Sequence, residues 1–481
     1  MAAFHKFASG KMSKKSFKVI PGSIVAPQGF LAGGVFCDIK RLGTGKGSEK
    51  GEKRDLALIV SEVPAVIAGM FTTNQVCAAP VKVCVERVKK GVAQAIVANS
   101  GNANACTGKP GLKDAREMTR VTAGAVVPFV KTREASNGPV AHHPRFDKRG
   151  HKIPAEHVLV ASTGRIGVAL PMANVKQGIF DAAKLLGNSS RHAAQAAEAI
   201  MTSDTRSKQI AVEFKLGGKT VRLGGICKGA GMIQPGMSAT GARPAVLSHA
   251  GLHATMLCFL TTDAAIEAGV LQSALSEAVA RSFNRITVDG DMSTNDTVLI
   301  LANGLAGNPE VGSQKSEVRI FQAALNHVCL ELAKMIVRDA EGVHRVVAVR
   351  VNGAKSVVDA DAAARAVANS ALVKTSWHGG DPNWGRIIDA LGYSSARIVE
   401  EKVDIGYSAS AGKKILWSLR RGQPTKATFK QLCAAVAPKE FDLHINLNLG
   451  NAGTMIYAAD LTEAYVDFNK GDVGNPGALG G

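Results

Sequence analysis

Two short segments combine a reactive side chain with a pattern that could serve chemistry. The first, KGAGMIQP, runs from Lys228 to Pro235 and follows an apolar stretch typical of a strand. Its lysine and glycines suggest a phosphate loop, but the spacing and the Ser or Thr of that motif are missing. The second, ATMLCFLTTD, starts at Ala254 and places Thr255 before an apolar run. A threonine in that position is ordinarily the start of a strand, so neither segment alone predicts an activity.

The order of these two segments resembles the self-processing region of the ornithine acetyltransferase family. Further segments resemble the family in the same order, including its asparagine-glycine segment, its oxyanion-hole loop and its substrate-side threonine motif. They lie at 71–81, 99–108, 161–167, 201–205, 338–342 and 380–386. The resemblance extends from about Gly29 to about Asn469. It implies a glutamate N-acetyltransferase of arginine biosynthesis, which moves an acetyl group from N2-acetylornithine to L-glutamate through an acetyl-threonine intermediate.

The resemblance implies that Thr255 is the nucleophile and that cleavage after Ala254 exposes it. A threonine hydroxyl is a poor nucleophile near neutral pH and needs an adjacent base. Cleavage would supply one, because Thr255 would then carry an α-amine with a pKa of roughly 7.7–8.0. This arrangement requires no histidine or aspartate, and the sequence offers no convincing Ser-His-Asp set.

The resemblance also implies the other site residues. Thr163 and Gly164 match the family's oxyanion hole, and the matching substrate-binding positions are Thr202, Lys228, Thr255, Glu341 and Asn469. The chemistry suits charged amino acids, since Lys228 can pair with an α-carboxylate and Glu341 with an amino group. One departure follows Asn469, where the family has a Thr or Ser and this chain has neither.

A second departure is the segment 238–253, which the family lacks between its KGxGMI motif and the cleaved bond. It creates a second Ala-Thr pair at Ala239 and Thr240. Thr255 is the better candidate because MLCFLTTD follows it. We expect the inserted segment to be an exposed, flexible loop that ends the first fragment.

Strands and helices alternate along the chain, and this pattern favours sheets covered by helices. The clearest helix spans 317–337, and another is predicted over 359–372. A hairpin turning at Gly217 and Gly218 is predicted within 210–223. The resemblance implies a mixed α/β protein, an αββα sandwich of the self-cleaving N-terminal-nucleophile type. It divides the chain into a basic segment 1–28 and two intertwined fragments, 29–254 and 255–481, assembled as an α2β2 heterotetramer.

Composition leaves one other class of protein open. The net charge is +19, which alone would suit nucleic-acid binding. The basic residues are dispersed and accompany no nucleic-acid motif, so we expect no nucleic-acid partner. The resemblance implies small charged amino acids as substrates. Because no apolar run is long enough to cross a bilayer, no membrane association is expected.

The sequence predicts no metal site. The eight cysteines form no CxxC pair, and most lie in apolar stretches, so reduced thiols are expected. The histidines at 142, 143 and 151 lie near Asp147, but Pro144 and Gly150 argue against the helix that would bring them together. A solvated loop is the favoured interpretation of that cluster.

Two points about activity and one about location stay open in the sequence. An N-terminal-nucleophile amidase or aminopeptidase would share the self-cleavage but would hydrolyse the acyl-enzyme. No cofactor is required, while acetyl-CoA is a candidate co-substrate. The N-terminus is basic and lacks acidic residues before Asp38, which is compatible with an organelle-targeting segment. The resemblance implies the mitochondrial matrix, with the cytoplasm as the alternative.

Overall fold

A computed structural model describes residues 17–40, 53–130, 153–242, 256–412 and 414–470. The strands within these ranges are Phe17–Val19 (β1), Phe30–Val35 (β2), Leu56–Thr72 (β3), Val92–Asn102 (β4), Val158–Arg165 (β5), Lys208–Leu216 (β6), Lys219–Lys228 (β7), Met237–Ser238 (β8), Leu257–Thr262 (β9), Ile286–Thr287 (β10), Thr297–Ala302 (β11), Val346–Ala354 (β12), Asp404–Ala409 (β13), Leu416–Arg420 (β14), Gln423–Pro424 (β15), Glu440–Asn446 (β16) and Ala452–Ala459 (β17). The α-helices are Ala79–Val88 (α1), Gly108–Ala125 (α2), Met172–Lys184 (α3), Ser190–Ala199 (α4), Ala268–Arg281 (α5), Lys315–Val337 (α6), Val357–Asn369 (α7), Ala371–Gly379 (α8), Trp384–Gly392 (α9), Phe429–Val436 (α10) and Glu463–Phe468 (α11).

The strands form two sheets. The first has the order β1-β6-β7-β9-β11-β3-β4-β5, with β2 and β8 also paired to the long β3. The second has the order β10-β17-β12-β16-β13-β14-β15. Most of their side chains are branched or small aliphatics, which pack well on a pleated surface covered by helices. The predicted class, a mixed α/β protein with two sheets and flanking helices, is confirmed.

In the first sheet, two adjacent strands from after position 255 lie between strands from before it. β9 and β11 lie between β7 and β3, so each contacts a strand from the first half of the chain. β9 pairs antiparallel with β7, and β11 pairs antiparallel with β3. The two segments that the sequence divides at 254/255 are therefore interleaved in one hydrogen-bonded sheet.

Three apolar clusters fill the space between sheets and helices. Helices α1 to α4 pack with β2 to β5, while α5 and α6 cover β6, β7, β9 and β11. Helices α7 to α10 cover the second sheet. By length and composition alone α6 could cross a membrane, but its apolar face is packed on β6, β7 and α5.

Two sequence predictions about local structure have different outcomes. The predicted hairpin is present, and Gly217 and Gly218 both have positive φ at its turn. The single helix expected over 359–372 is wrong, because the chain breaks it into α7 and α8 at Ser370. Ser370 has an extended ψ of 118°, and its hydroxyl accepts a hydrogen bond from the N–H of Val373. A serine with that geometry ends one helix and caps the next.

Candidate active site

Lys228 is the centre of a buried polar cluster at the end of β7. Its Nζ atom donates to Oγ1 of Thr202 at 2.7 Å and to Oγ1 of Thr163 at 3.2 Å. The residue is only 2% exposed. An ammonium has three donors, so these two bonds leave one more N–H for another acceptor. Three of the residues that the sequence selected are therefore in direct contact.

Thr163 and Gly164 lie near the end of β5, where its pairing with β4 becomes irregular. Gly164 pairs with Gly101 and has a φ of 132°, which L side chains rarely adopt. A Cβ atom at this position would lie 2.3 Å from the carbonyl carbon of Gly101. Only glycine fits there. At this bulged end of β5 the buried Thr163 hydroxyl accepts a hydrogen bond from Lys228.

A buried trio of charged residues, Lys208, Asp204 and Asp339, adjoins the Lys228 cluster. Lys208 Nζ lies 2.5 Å from both Asp204 Oδ1 and Asp339 Oδ2, and all three residues are buried. Asp204 also accepts the N–H of Gly229 at 2.8 Å and the N–H of Thr202 at 3.0 Å. It therefore fixes both the residue after Lys228 and the backbone of Thr202. Buried carboxylates are tolerated when they are this fully paired.

Burial and neighbouring charges act in opposite directions on the pKa values of Asp204, Lys228 and Lys208. Burial would raise the pKa of Asp204, but the charges of Lys228 and Lys208 hold it at about 2. Burial lowers the pKa of Lys228, while the nearby Asp204 carboxylate opposes that change. The pKa of Lys208 is raised by Asp204 and Asp339 even though burial acts against it. Asp204 is thus the anion that opposes the effect of burial on the pKa of both lysines.

Glu341 and Asn469 form a second, more exposed pair. Nδ2 of Asn469 donates to Oε2 of Glu341 at 3.1 Å, and the N–H of Glu341 donates to the carbonyl of Ala230 at 2.9 Å. A Cβ atom at Gly231 would lie 2.5 Å from the Glu341 carboxyl carbon, so this glycine lets the carboxylate approach the loop after Lys228. The loop 229–231 therefore links the Lys228 cluster to the Glu341 pair.

Ala254 and Thr255 lie outside the described residues, but the chain directly after them is in place. The N–H of Met256 donates to Oδ1 of Asp296 at 2.6 Å, and Leu257 pairs with Lys228 across β9 and β7. Asp296 is fully buried, and among the described residues its Oδ2 has no hydrogen-bond partner. Burial raises the pKa of Asp296 well above its usual range. A fully buried carboxyl therefore lies beside the start of β9.

Sequence reasoning selected neither the buried trio nor Asp296. Asp204 and Asp339 lie inside the quoted segments 201–205 and 338–342, but nothing there shows that Lys208 joins them. Asp296 directly precedes β11, a strand whose six residues are all buried. Its own burial carried no sequence signal, since an aspartate is almost never fully buried unless it is paired.

Several known proteins are similar to this chain along most of its length. The chain is 44% identical over 450 residues to the arginine biosynthesis bifunctional protein ArgJ of Symbiobacterium thermophilum, covering 94% of this chain and 98% of that protein. It is 42% identical over 461 residues to a glutamate N-acetyltransferase of Methanocaldococcus jannaschii, covering 94% and 98%. A solved ornithine acetyltransferase of Mycobacterium tuberculosis, complexed with ornithine, is 31% identical with a TM-score of 0.37, covering 46% of this chain and 100% of that one.

The family model matches residues 40–471, which include every candidate site residue described above. The matched range also spans 254 and 255 and the strands on both sides of them. The chain belongs to the ArgJ family.

Proposed function

We propose that this protein is a glutamate N-acetyltransferase of arginine biosynthesis, moving an acetyl group from N2-acetylornithine to L-glutamate. The observation that carries the proposal is the bridge from Lys228 Nζ to the hydroxyls of Thr163 and Thr202, next to the first residue of β9. The names of the two curated relatives described above support the same reaction.

Cleavage between Ala254 and Thr255 would create the nucleophile and its base on one residue. The α-amine takes the proton from the Thr255 hydroxyl as the oxygen attacks the acetyl carbonyl carbon. The proton then passes to the amino nitrogen of the departing ornithine, and an acetyl-threonine ester remains. Glutamate's amino group attacks that ester, and the proton that it loses returns through the α-amine to the threonine oxygen.

Thr163 and Gly164 would stabilise the negative oxygen in both half-reactions. The Thr163 hydroxyl accepts from Lys228, so its own hydrogen is available to donate to that oxygen. A hydroxyl that accepts from an ammonium is also a stronger donor, because the charge polarises it. Removing one such donor typically lowers the rate by about 10²–10³.

Charged groups around this centre suit amino-acid substrates. The third N–H of Lys228 is a candidate partner for a substrate carboxylate, with Thr202 beside it. Glu341 is a candidate partner for the side-chain amino group of ornithine, and Asn469 holds its carboxylate in place. Each of these would be a charge-assisted hydrogen bond, worth about 1.5–3 kcal/mol.

The same proposal includes the state of the chain. Fragments 29–254 and 255–481 would remain together after cleavage, since β9 and β11 are hydrogen-bonded between β7 and β3. We also propose the α2β2 assembly, and the mitochondrial matrix as the location on the strength of the basic N-terminus. A fluorescent fusion of the first 28 residues tests the location, and light scattering of the purified protein tests the assembly.

Incubation of the purified protein with N-acetylornithine and glutamate tests the activity. N-acetylglutamate and free ornithine should form in equal amounts, and Thr255→Ala should abolish both. Release of free acetate without N-acetylglutamate would instead indicate an amidase. Replacing N-acetylornithine by acetyl-CoA shows whether the thioester is a second acetyl donor.

A further inference from the structure

Three side chains with metal-binding atoms, those of His344, His378 and Asp460, lie close together. His344 lies in the loop before β12, His378 in the last turn of α8, and Asp460 directly after β17. One ligand atom from each lies within 4.8 Å of the others. Asp460 is held by the N–H of His344, which donates to its Oδ1 at 3.0 Å. The three residues come from separate segments, so no sequence motif announces them.

With the ring of His378 neutral and its proton on the nitrogen nearest Glu463, two hydrogen-bond acceptors face each other. Its Nε2 lies 2.7 Å from Oε2 of Glu463, which suits an N–H donating to that carboxylate. A neutral ring then has its lone pair on Nδ1, which lies 3.6 Å from Oδ2 of Asp460. Both atoms are buried, and neither has a hydrogen-bond partner within the part of the chain that the structure describes. Such a pair is unfavourable unless a proton or a metal ion lies between the two atoms.

The hydrogen bonds of the neighbouring lysine and arginine do not reach the Asp460 carboxylate. Arg345 donates to the carbonyls of Trp377 and His378, and Lys374 donates to the carbonyl of Ala459. Both cations are thus directed at backbone oxygens. The side chain of Asp460 is completely buried, with Oδ2 towards His378. The end of α8 adds its own preference for a cation, since carbonyl dipoles point out of a helix C-terminus.

We propose that His344, His378 and Asp460 bind a divalent transition-metal ion, with Zn²⁺ as the best match. Two imidazole nitrogens and one carboxylate oxygen form a typical three-ligand zinc set, and water completes it from the exposed side of His344. Glu463 fixes the ring of His378 from behind, as carboxylates commonly do for zinc-bound histidines.

The ion would stabilise the part of the candidate active site that contains Glu341 and Asn469. His344 follows Glu341 by three residues, and Asp460 begins the segment that ends at Asn469. That segment already contacts the loop, because the Thr462 hydroxyl donates to the carbonyl of Gly342 at 2.7 Å. A metal joining His344 to Asp460 would hold the Glu341 and Asn469 partners together. The metal site itself stands whether or not the proposed acetyl transfer is correct.

The alternative is a protonated His378 that pairs with Asp460 and Glu463 without a metal. His344 has no role in that arrangement, so His344→Ala separates the two. The ring of His344 is exposed, and its removal should leave the fold intact. Asp460→Asn keeps the shape and removes the anionic ligand. A matched control, the loop-histidine control, replaces by alanine the histidines at 142, 143 and 151, for which the sequence predicts a solvated loop, because those could bind zinc independently.

The experiment uses full-length protein treated with a chelator, then equilibrium dialysis against Zn²⁺ and metal analysis, with thermal unfolding followed in parallel. We expect one Zn²⁺ per chain in the wild type and in the loop-histidine control. Zinc should raise the melting temperature of both. Affinity should fall by roughly tenfold or more in His344→Ala and Asp460→Asn. A wild type that binds no zinc, an unchanged His344→Ala, or loss of zinc in the loop-histidine control would each overturn the proposal.

Discussion

The backbone N–H of Met256 donates to Oδ1 of Asp296 across 2.6 Å, in a site from which water is excluded. Met256 directly follows the proposed nucleophile, so this bond anchors the chain at the residue where the second fragment would begin. The positive charge of Lys228 acts on this carboxyl and opposes the effect of burial on its pKa. A buried carboxyl, a buried lysine and the proposed cleavage position are therefore neighbours.

Asp296→Asn should preserve the fold at neutral pH, because an amide oxygen can still accept from Met256. Asp296→Ala should destabilise it by about 1–3 kcal/mol, since it leaves that buried N–H without a partner. The pKa of Asp296 is raised in the folded state, so its stabilising contribution is complete below about pH 4 and declines as pH rises. The free energy of unfolding of Asp296→Asn relative to wild type should therefore increase with pH. Urea unfolding between pH 5 and 8 measures this, and a constant difference would contradict the raised pKa.

Asp204→Asn should have the opposite pH dependence. The pKa of Asp204 is about 2 in the folded state, so its contribution is present above about pH 4 and is lost as pH falls towards 2. Breaking this buried pairing should destabilise the protein by about 3–5 kcal/mol at neutral pH. That deficit should shrink below pH 4. Asp181→Asn is the matched control, because Asp181 pairs with Lys184 on the surface, where the effect should be under about 1 kcal/mol.

Thr163→Val should lower kcat for acetyl transfer by about 10²–10³, since it removes a donor to the oxyanion. Lys228→Met should produce a comparable loss by removing the charge that polarises the same hydroxyl. Thr202→Val removes the other hydroxyl bonded to Lys228 and should act mainly on KM. Steady-state kinetics on fully cleaved enzyme separate the three. Equal effects of Thr163→Val and Thr202→Val on kcat would argue against the oxyanion assignment.

Glu341→Gln should raise the KM for N-acetylornithine by roughly 10- to 100-fold with little change in kcat, because it removes one charge-assisted bond made in ground and transition states alike. Asn469→Ala should raise the same KM less, since it removes only the exposed support of Glu341. The KM for glutamate provides the comparison. A large fall in kcat with an unchanged KM would show that Glu341 does not bind the ornithine amino group.

Local patterning predicted the helix around 317–337 well. Phe321, Leu325, Val328 and Leu332 are buried on one face, as their spacing indicates. Its packing on β6, β7 and α5 could not be predicted, since those partners are distant in sequence. The resemblance grouped Thr163, Thr202 and Lys228 as functional residues, and the structure brings them into contact.

Other features depend on contacts that no local pattern contains. The buried trio joins Asp204 and Lys208, four residues apart, to Asp339, which lies just after the end of α6. The proposed metal ligands His344, His378 and Asp460 come from two loops and the end of a helix, which meet only in the fold. The break at Ser370 depends on one hydroxyl competing for a backbone N–H, which the apolar pattern of 359–372 does not reveal.

The most direct test of the account is the intact mass of the purified protein together with N-terminal sequencing. We predict two fragments, the second beginning at Thr255, and a single uncut chain without acetyl transfer for Thr255→Ala. A second fragment beginning at Thr240, or an uncut wild-type chain that transfers acetyl groups at full rate, would contradict the mechanism.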